Sequence, residues 1–265
     1  MSYEGKDLPA SSGKGGCVEK DEVLSPLGTY TEKMPPNAVE KVIFERRSIR
    51  AFKKEPLPDS MIRRILEAGR FAPSAGNSQP WKFVVVNNPE IIAELEEDAK
   101  RMARILMWFI DPTRTAMRRK FLTPFTRAII RMRPNELHPV PFSLIKLIAD
   151  GKAPVFHNAP TLILLLEDRR GVSCPPLDIG ICGQNMVLAA HSMGAGTCWL
   201  GMIKLCMYYP KWRKFFGVKY PYHLNDCLAV GWQKGKLDGV VKREMQLVNW
   251  FDRGSRTPRV ERQGE

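Results

Sequence analysis

Apolar positions along this chain recur with two periods. Val39, Val42 and Ile43 fall at helical spacing, and Asn37 stands three residues before Glu40 as an N-cap with its capping-box partner. After a turn through Pro56 and Pro58, residues Met61, Ile62, Ile65, Leu66 and Gly69 repeat as one face of a second helix. Residues 71–81 lose that period and read as a loop. Phe83 to Val86 is a short β-branched strand closed by Asn87-Asn88-Pro89. A third helix begins near Pro89 and turns Ile91, Ile92, Leu95, Met102 and Ile105 inward.

The second half follows the same logic. Thr161 to Leu166 is an unbroken apolar run that ends in Glu167-Asp168 and reads as a strand. Asp178 to Met193 reads as a helix whose small residues (Gly180, Gly183, Ala189, Ala190) suit close packing against another helix, and Gly194-Ala195-Gly196 stops it. Thr197 to Leu200 and Cys227 to Gly231 are two more short strands, and from Trp250 onward the chain reads as a peripheral tail. Four or five strands alternate irregularly with helices, which places the chain in the α+β class and not among doubly wound sheets. No Gly-x-Gly-x-x-Gly follows a strand, so a Rossmann dinucleotide site is disfavoured.

Composition sets the organisation. Residues 1–34 are rich in Gly, Ser and Lys and read as a flexible leader, with one domain expected over 35–265. Within that domain Pro112, Pro124, Pro134, Pro139 and Pro141 break up the region after the third helix, which reads as a lid-like insertion at about 101–150. No apolar run reaches the roughly 18–20 residues of a membrane span. Six cysteines lacking any Cys-x-x-Cys or zinc spacing read as free thiols in a reducing cytoplasm, and no metal site is expected.

The formal net charge is +13, and most of the excess is local. Nine Lys/Arg against the single acid Asp111 lie between Arg101 and Arg133, a surplus of eight. Clustered aromatic and glycine signatures of RNA binding are absent, so nucleic acid is not the expected partner.

Three segments could carry chemistry. Arg46-Arg47-Ser48-Ile49-Arg50 puts three guanidinium groups and a hydroxyl at a helix end, a set that can fork onto phosphate oxygens or can face water as a basic turn. Pro73-Ser74-Ala75-Gly76-Asn77-Ser78-Gln79-Pro80-Trp81 combines small residues with two amides, which suits a heteroaromatic ring edge or an ordinary capped turn. Gly196-Thr197-Cys198-Trp199-Leu200-Gly201 can bring main-chain N–H groups to a ligand, or can simply follow a glycine helix cap.

Taken together, residues 46–50, 72–81, the small-residue helix at 180–193 with 196–201, and Ala229-Val230-Gly231-Trp232 resemble the FMN-dependent nitroreductase family in order and separation. The resemblance covers residues of about 37–100 and 152–250. It implies a central, mostly antiparallel sheet of four or five strands flanked by helices, in a domain-swapped homodimer with FMN at the subunit interface. It implies that Arg46, Arg47, Ser48 and Arg50 hold the FMN phosphate and ribityl chain. It implies that Pro73, Ser74, Ala75, Asn77 and Gln79 meet the flavin from the partner or line its edge, and that Gly196, Thr197 and Cys198 lie near the ring. Lys242 or Arg243 would return to the phosphate. No catalytic side chain is required; His157, His191 and His223 read as ordinary histidines and Cys198 as a buried inert thiol.

The implied activity is transfer of hydride or electrons from NAD(P)H, or from a reduced ferredoxin, to a nitroaromatic, quinone or activated-alkene acceptor. The basic segment at 101–150 admits three uses: a lid over a hydrophobic, negatively charged acceptor, a dock for an acidic electron-transfer protein, or contact with an anionic membrane surface. The alternative is a basic amphipathic membrane- or partner-binding flavoprotein without turnover. The family includes deiodinases, but the Glu–Tyr–Lys lid set they carry has no counterpart here, since no tyrosine occurs between residues 94 and 133.

Overall fold

A computed structural model describes residues 35–110, 120, 123–124, 127, 131, 139–235 and 246–263. The chain divides into two compact units, Ala38–Asp238 and a second made of Met1–Asn37 with Gly239–Glu265. The expected leader at 1–34 and much of the middle of the expected lid, between residues 111 and 138, lie outside the described residues; the two ends of that lid are helical, in Pro89–Ile110 and Pro139–Ala149.

The larger unit is organised by one strand. β2 (Thr161–Asp168) is apolar from Leu162 to Leu166 because both of its faces are covered. It pairs antiparallel with β1 (Trp81–Val86) on one side and β4 (Tyr222–Gly231) on the other, and β4 pairs antiparallel with β3 (Gly196–Trp199). The four-stranded order is β1-β2-β4-β3, which meets the α+β, antiparallel expectation.

Alternation along β2 divides the core. Leu162, Leu164 and Leu166 face α3 (Pro89–Ile110), α4 (Pro139–Ala149) and a 3-10 helix at Gly201–Tyr208, packing with Leu95, Ile148, Phe156 and Ile203. Ile163 and Leu165 face α2 (Asp59–Arg70) and α5 (Pro175–Ser192), packing with Ile65, Ile179 and Met186. Each fully buried side chain of this kind contributes about 1.5–3 kcal/mol. α2 and α5 pack tightly because Gly69 has no side chain: a Cβ there would stand 2.8 Å from Met186 Cγ. Gly183 of α5 lies in the same way beneath the Trp199 ring of β3.

Polar groups fix the far layer. Asp98 of α3 is buried, accepts a hydrogen bond from Trp212 Nε1 at 2.9 Å and pairs with Lys211 Nζ at 2.6 Å, which ties α3 to α6 (Pro210–Phe215). The Glu96 carboxylate accepts from the N–H groups of Val155 (2.8 Å) and Phe156 (3.1 Å) and so pins the loop that enters β2.

Several boundaries differ from the sequence reading. β4 starts at Tyr222, five residues before the expected Cys227, because its first half mixes polar and apolar side chains around a register shift opposite Leu165/Leu166. The 3-10 helix and α6 were not anticipated. Residues after Trp250 are not a plain tail: in the smaller unit β5 (Gln246–Trp250) pairs antiparallel with β6 (Arg259–Gln263), two strands rich in arginine and amide that lack clean alternation. No helix among the described residues is long and apolar enough to cross a membrane.

Candidate functional site

α1 (Ala38–Glu45) ends where the arginine cluster begins. Arg47 Nη1 donates to the carbonyls of Phe44 (2.6 Å) and Arg46 (2.9 Å), so this half-buried guanidinium satisfies carbonyl groups that the helix end leaves open. Ser48 and Arg50 are exposed and Ile49 is buried between them. That alternation is a strand's, and the segment behaves like one. Ser48 forms a parallel bridge with Thr197, and Ile49 N–H donates to Thr197 O at 2.8 Å. Farther along, Lys53 N–H donates to Trp232 O (2.8 Å) and Lys234 N–H to Ala51 O (2.9 Å).

Gly196 makes this approach possible. A Cβ at that position would stand 2.7 Å from Ile49 Cγ1. The cationic turn at 46–50 and Gly196-Thr197-Cys198, separate readings in sequence, therefore form one corner of the molecule. Thr197 is buried, and so is Cys198. Burial pushes the Cys198 thiol above its ordinary range, against a downward pull from the charges of Arg50 and Arg46. Gly201 just beyond β3 is exposed, and a Cβ there would meet open space.

The loop before β2 reaches the same corner, which the sequence did not signal. Pro160 packs on Gly231, where a Cβ would stand 2.8 Å from Pro160 Cδ and 3.1 Å from Phe52 Cδ1. His157 and Asn158 both adopt left-handed backbone, with φ of 55° and 58°. Burial depresses the His157 pKa and the charge of Arg50 adds to that, with Glu96 opposing.

Residues 73–79 stand elsewhere. Gln79 N–H donates to Ser74 Oγ (3.0 Å), Asn77 N–H to Ser74 O (3.0 Å), and Gln79 Nε2 to Asn77 Oδ1 (3.0 Å). Gly76, Asn77 and Gln79 have φ of 56°, 53° and 45°; for Gln79 this costs on the order of 1–2 kcal/mol and leaves both amide side chains exposed. Pro73 is exposed; Ser74 and Ala75 are half-buried.

This loop leads into Trp81, which pairs with Glu167 and, beyond it, His223, whereas Thr197 pairs with Val230 and Thr161. The two rows lie six residues apart along β2 and three strand spacings apart across the sheet, which is roughly 20 Å by 14 Å, or about 24 Å corner to corner. One chain thus brings 46–50 and 196–198 together and keeps 73–79 away. Lys242 and Arg243 lie outside the described residues.

A three-layer α+β fold with an arginine-rich corner at an edge strand is the architecture this chain presents. The chain belongs to the nitroreductase family, whose family model matches residues 43–232. It is 48% identical over 61 residues to an NADH dehydrogenase of Thermus thermophilus, a stretch covering 23% of this chain and 30% of that protein. It is 46% identical over 160 residues to a 5,6-dimethylbenzimidazole synthase of Rhodospirillum rubrum, covering 60% and 66%. Across three relatives named as NADH dehydrogenases or NAD(P)H nitroreductases, the chain spans 30%, 33% and 61% of the relative's length. Among solved structures, a nitroreductase with bound FMN from Bacteroides fragilis superposes with a TM-score of 0.59 at 22% identity, over 82% of this chain and 100% of that one, which shows the shared fold.

Proposed function

We propose that this chain is an FMN-dependent oxidoreductase that works as a homodimer. Electrons pass from NAD(P)H to a small hydrophobic acceptor: a nitroaromatic, a quinone or an activated alkene. The observation that carries the reading is the Ser48–Thr197 bridge, with its 2.8 Å bond from Ile49 N–H to Thr197 O, which seats three guanidinium groups beside a glycine-bordered edge strand.

The donor set fits FMN. Arg46, Arg50 and the Ser48 hydroxyl offer charge-assisted donors to a phosphate dianion, and Arg47 holds its guanidinium in register through the Phe44 and Arg46 carbonyls. Gly201, exposed and with open space where a Cβ would stand, leaves backbone that a flat ring can approach closely. FMN, when bound, supplies the hydride or single-electron chemistry. This chain's residues bind and orient it, and the Cys198 thiol, kept protonated by burial, packs there without acting as a nucleophile.

Homodimerisation is supported by two features. The 73–79 loop enters β1 at Trp81, which by strand register stands about 24 Å from Thr197, farther than a flavin mononucleotide reaches, so Pro73, Ser74, Ala75, Asn77 and Gln79 serve the site of a second copy. The outward side of α5 carries Leu177, Gly180, Ile181 and Leu188 interspersed with Gln184, Asn185 and His191, a partly apolar face that a second copy can cover.

The test is to purify the full chain, identify any flavin by mass after heat release, and measure turnover with NADH and NADPH against a nitroaromatic and a quinone. The proposal expects about one FMN per chain and nucleotide-dependent reduction of an acceptor. A protein that is colourless and stays so after incubation with FMN overturns it.

A further inference from the structure

We propose that the exposed basic and aromatic face of residues 201–223 is a docking surface for a small acidic protein. Its purpose as a dock for a redox carrier rests on the flavoenzyme reading; the binding itself does not.

Between Gly201 and His223 the chain carries five Lys/Arg (Lys204, Lys211, Arg213, Lys214, Lys219) and no Asp or Glu, and all five are exposed. Lys211 is paired with the buried Asp98. Among the described residues the other four have no carboxylate within ion-pairing distance. The strands add to the same sign. Arg169, Lys204 and Arg213 all bring their charges to bear on His223, and together with burial they depress its pKa while Glu167 opposes. Glu167 is itself buried, accepting from Asn225 Nδ2 at 2.8 Å, and the Asp226 carboxyl that faces Lys204 is pushed up by burial. Of the acids near this face, Glu167 is buried, Asp226 is half-buried and Asp168 is taken up by Arg170 at 2.6 Å, while the cations stand in water.

Three large rings lie among those cations: Tyr208 is 63%, Phe215 61% and Tyr220 79% exposed. Phe215 is held edge-on against Trp212, with centroids 5.8 Å apart at 89°, so it is a fixed anchor. Exposed aromatic rings beside an arginine are what protein interfaces concentrate, and the surrounding lysines add the long-range field that steers an acidic partner. A bilayer demands something else, a continuous apolar helix face, and here Ile203, Leu205 and Cys206 of the 3-10 helix point into the core. Charge complementarity therefore selects an acidic protein as the occupant. By strand register His223 stands in the row of Trp81, so the cations around it lie at the 73–79 end of the sheet and not at the arginine corner.

The test measures binding of an acidic [2Fe–2S] ferredoxin to the full chain, with and without FMN, by biolayer interferometry at low and high salt. The triple variant Lys204→Glu/Arg213→Glu/Lys214→Glu is compared with Arg104→Glu/Lys146→Glu/Lys152→Glu, which changes the charge equally through exposed residues of the α3/α4 side. The proposal expects ferredoxin binding that weakens about tenfold or more at high salt and in the first triple, and less than about threefold in the second. Lys204→Gln/Lys219→Gln, milder for folding, should show an intermediate loss. Equal loss in both triples, absence of ferredoxin binding, or phosphatidylglycerol vesicles that bind wild type and lose the first triple would each overturn it. A colourless protein would fail the flavoenzyme reading alone, since binding is read without flavin as well.

Discussion

Gly196→Ala tests the junction on which the site is built. The added Cβ would stand 2.7 Å from Ile49 Cγ1, 3.0 Å from its Cβ and 3.1 Å from its Cγ2. Ile49 is buried and its N–H is bonded to Thr197 O at 2.8 Å, so relief requires parting the 48–50 segment from β3. Overpacking of this kind costs about 1–3 kcal/mol. At ~2–4 °C per kcal/mol for a chain of this size, the unfolding midpoint should fall by roughly 2–12 °C. Flavin retention should fall with it, because the guanidinium groups move away from the edge strand. Differential scanning fluorimetry and the flavin-to-protein absorbance ratio read the two effects.

A cycle sharpens the test. Ile49→Ala alone should cost about 2–5 kcal/mol through lost burial, but it removes the Cγ1 and Cγ2 atoms that clash. The double variant should therefore cost less than the sum of the singles by about 1 kcal/mol. Additivity within about 0.5 kcal/mol, or a Gly196→Ala protein with unchanged midpoint and flavin content, would refute the reasoning.

Two further outcomes follow from individual side chains. Arg46→Ala should weaken FMN binding by about 1.5–3 kcal/mol, the worth of a charge-assisted hydrogen bond, measured by fluorescence titration of the flavin-free protein; unchanged affinity would remove Arg46 from the phosphate. For Asp98, burial raises the carboxyl pKa, but hydrogen bonds from Lys211 and Trp212 and the charges of Lys211 and Arg101 outweigh it and leave the value below 3.8. The stability this group contributes is present above that unfolded value and is lost as pH falls through the lower folded one. The gap between the thermal midpoints of wild type and Asp98→Asn should therefore be constant above about pH 5 and narrow progressively as pH falls below about 4, and a gap that stays the same from about pH 7 down to the lowest pH at which both fold would contradict this.

How much of this was legible in sequence depends on range. β2 could be read because Leu162 to Leu166 needs cover on both faces, and α2 and α3 because their apolar stripes are periodic. The polar start of β4, the 3-10 helix with no period of its own and the arginine-rich hairpin β5–β6 carried no such pattern. The chemistry-bearing segments were visible as residue types, but their pairing was not: Ser48 and Thr197 meet from far apart in the chain. Nor did composition reveal that Arg47 closes the end of α1, that Gln79 takes a left-handed backbone, or that His157 joins the arginine corner.

The composite site can be tested by mixing two defective chains. One protomer carries Arg46→Ala/Arg50→Ala and the other Asn77→Ala/Gln79→Ala, each homodimer having lost its flavin, and the heterodimer is isolated through two different affinity tags. If the arginine corner of one copy works with the 73–79 loop of the other, the heterodimer holds one intact site and one doubly damaged site, and retains about half the wild-type flavin. A heterodimer as empty as either parent would contradict the account.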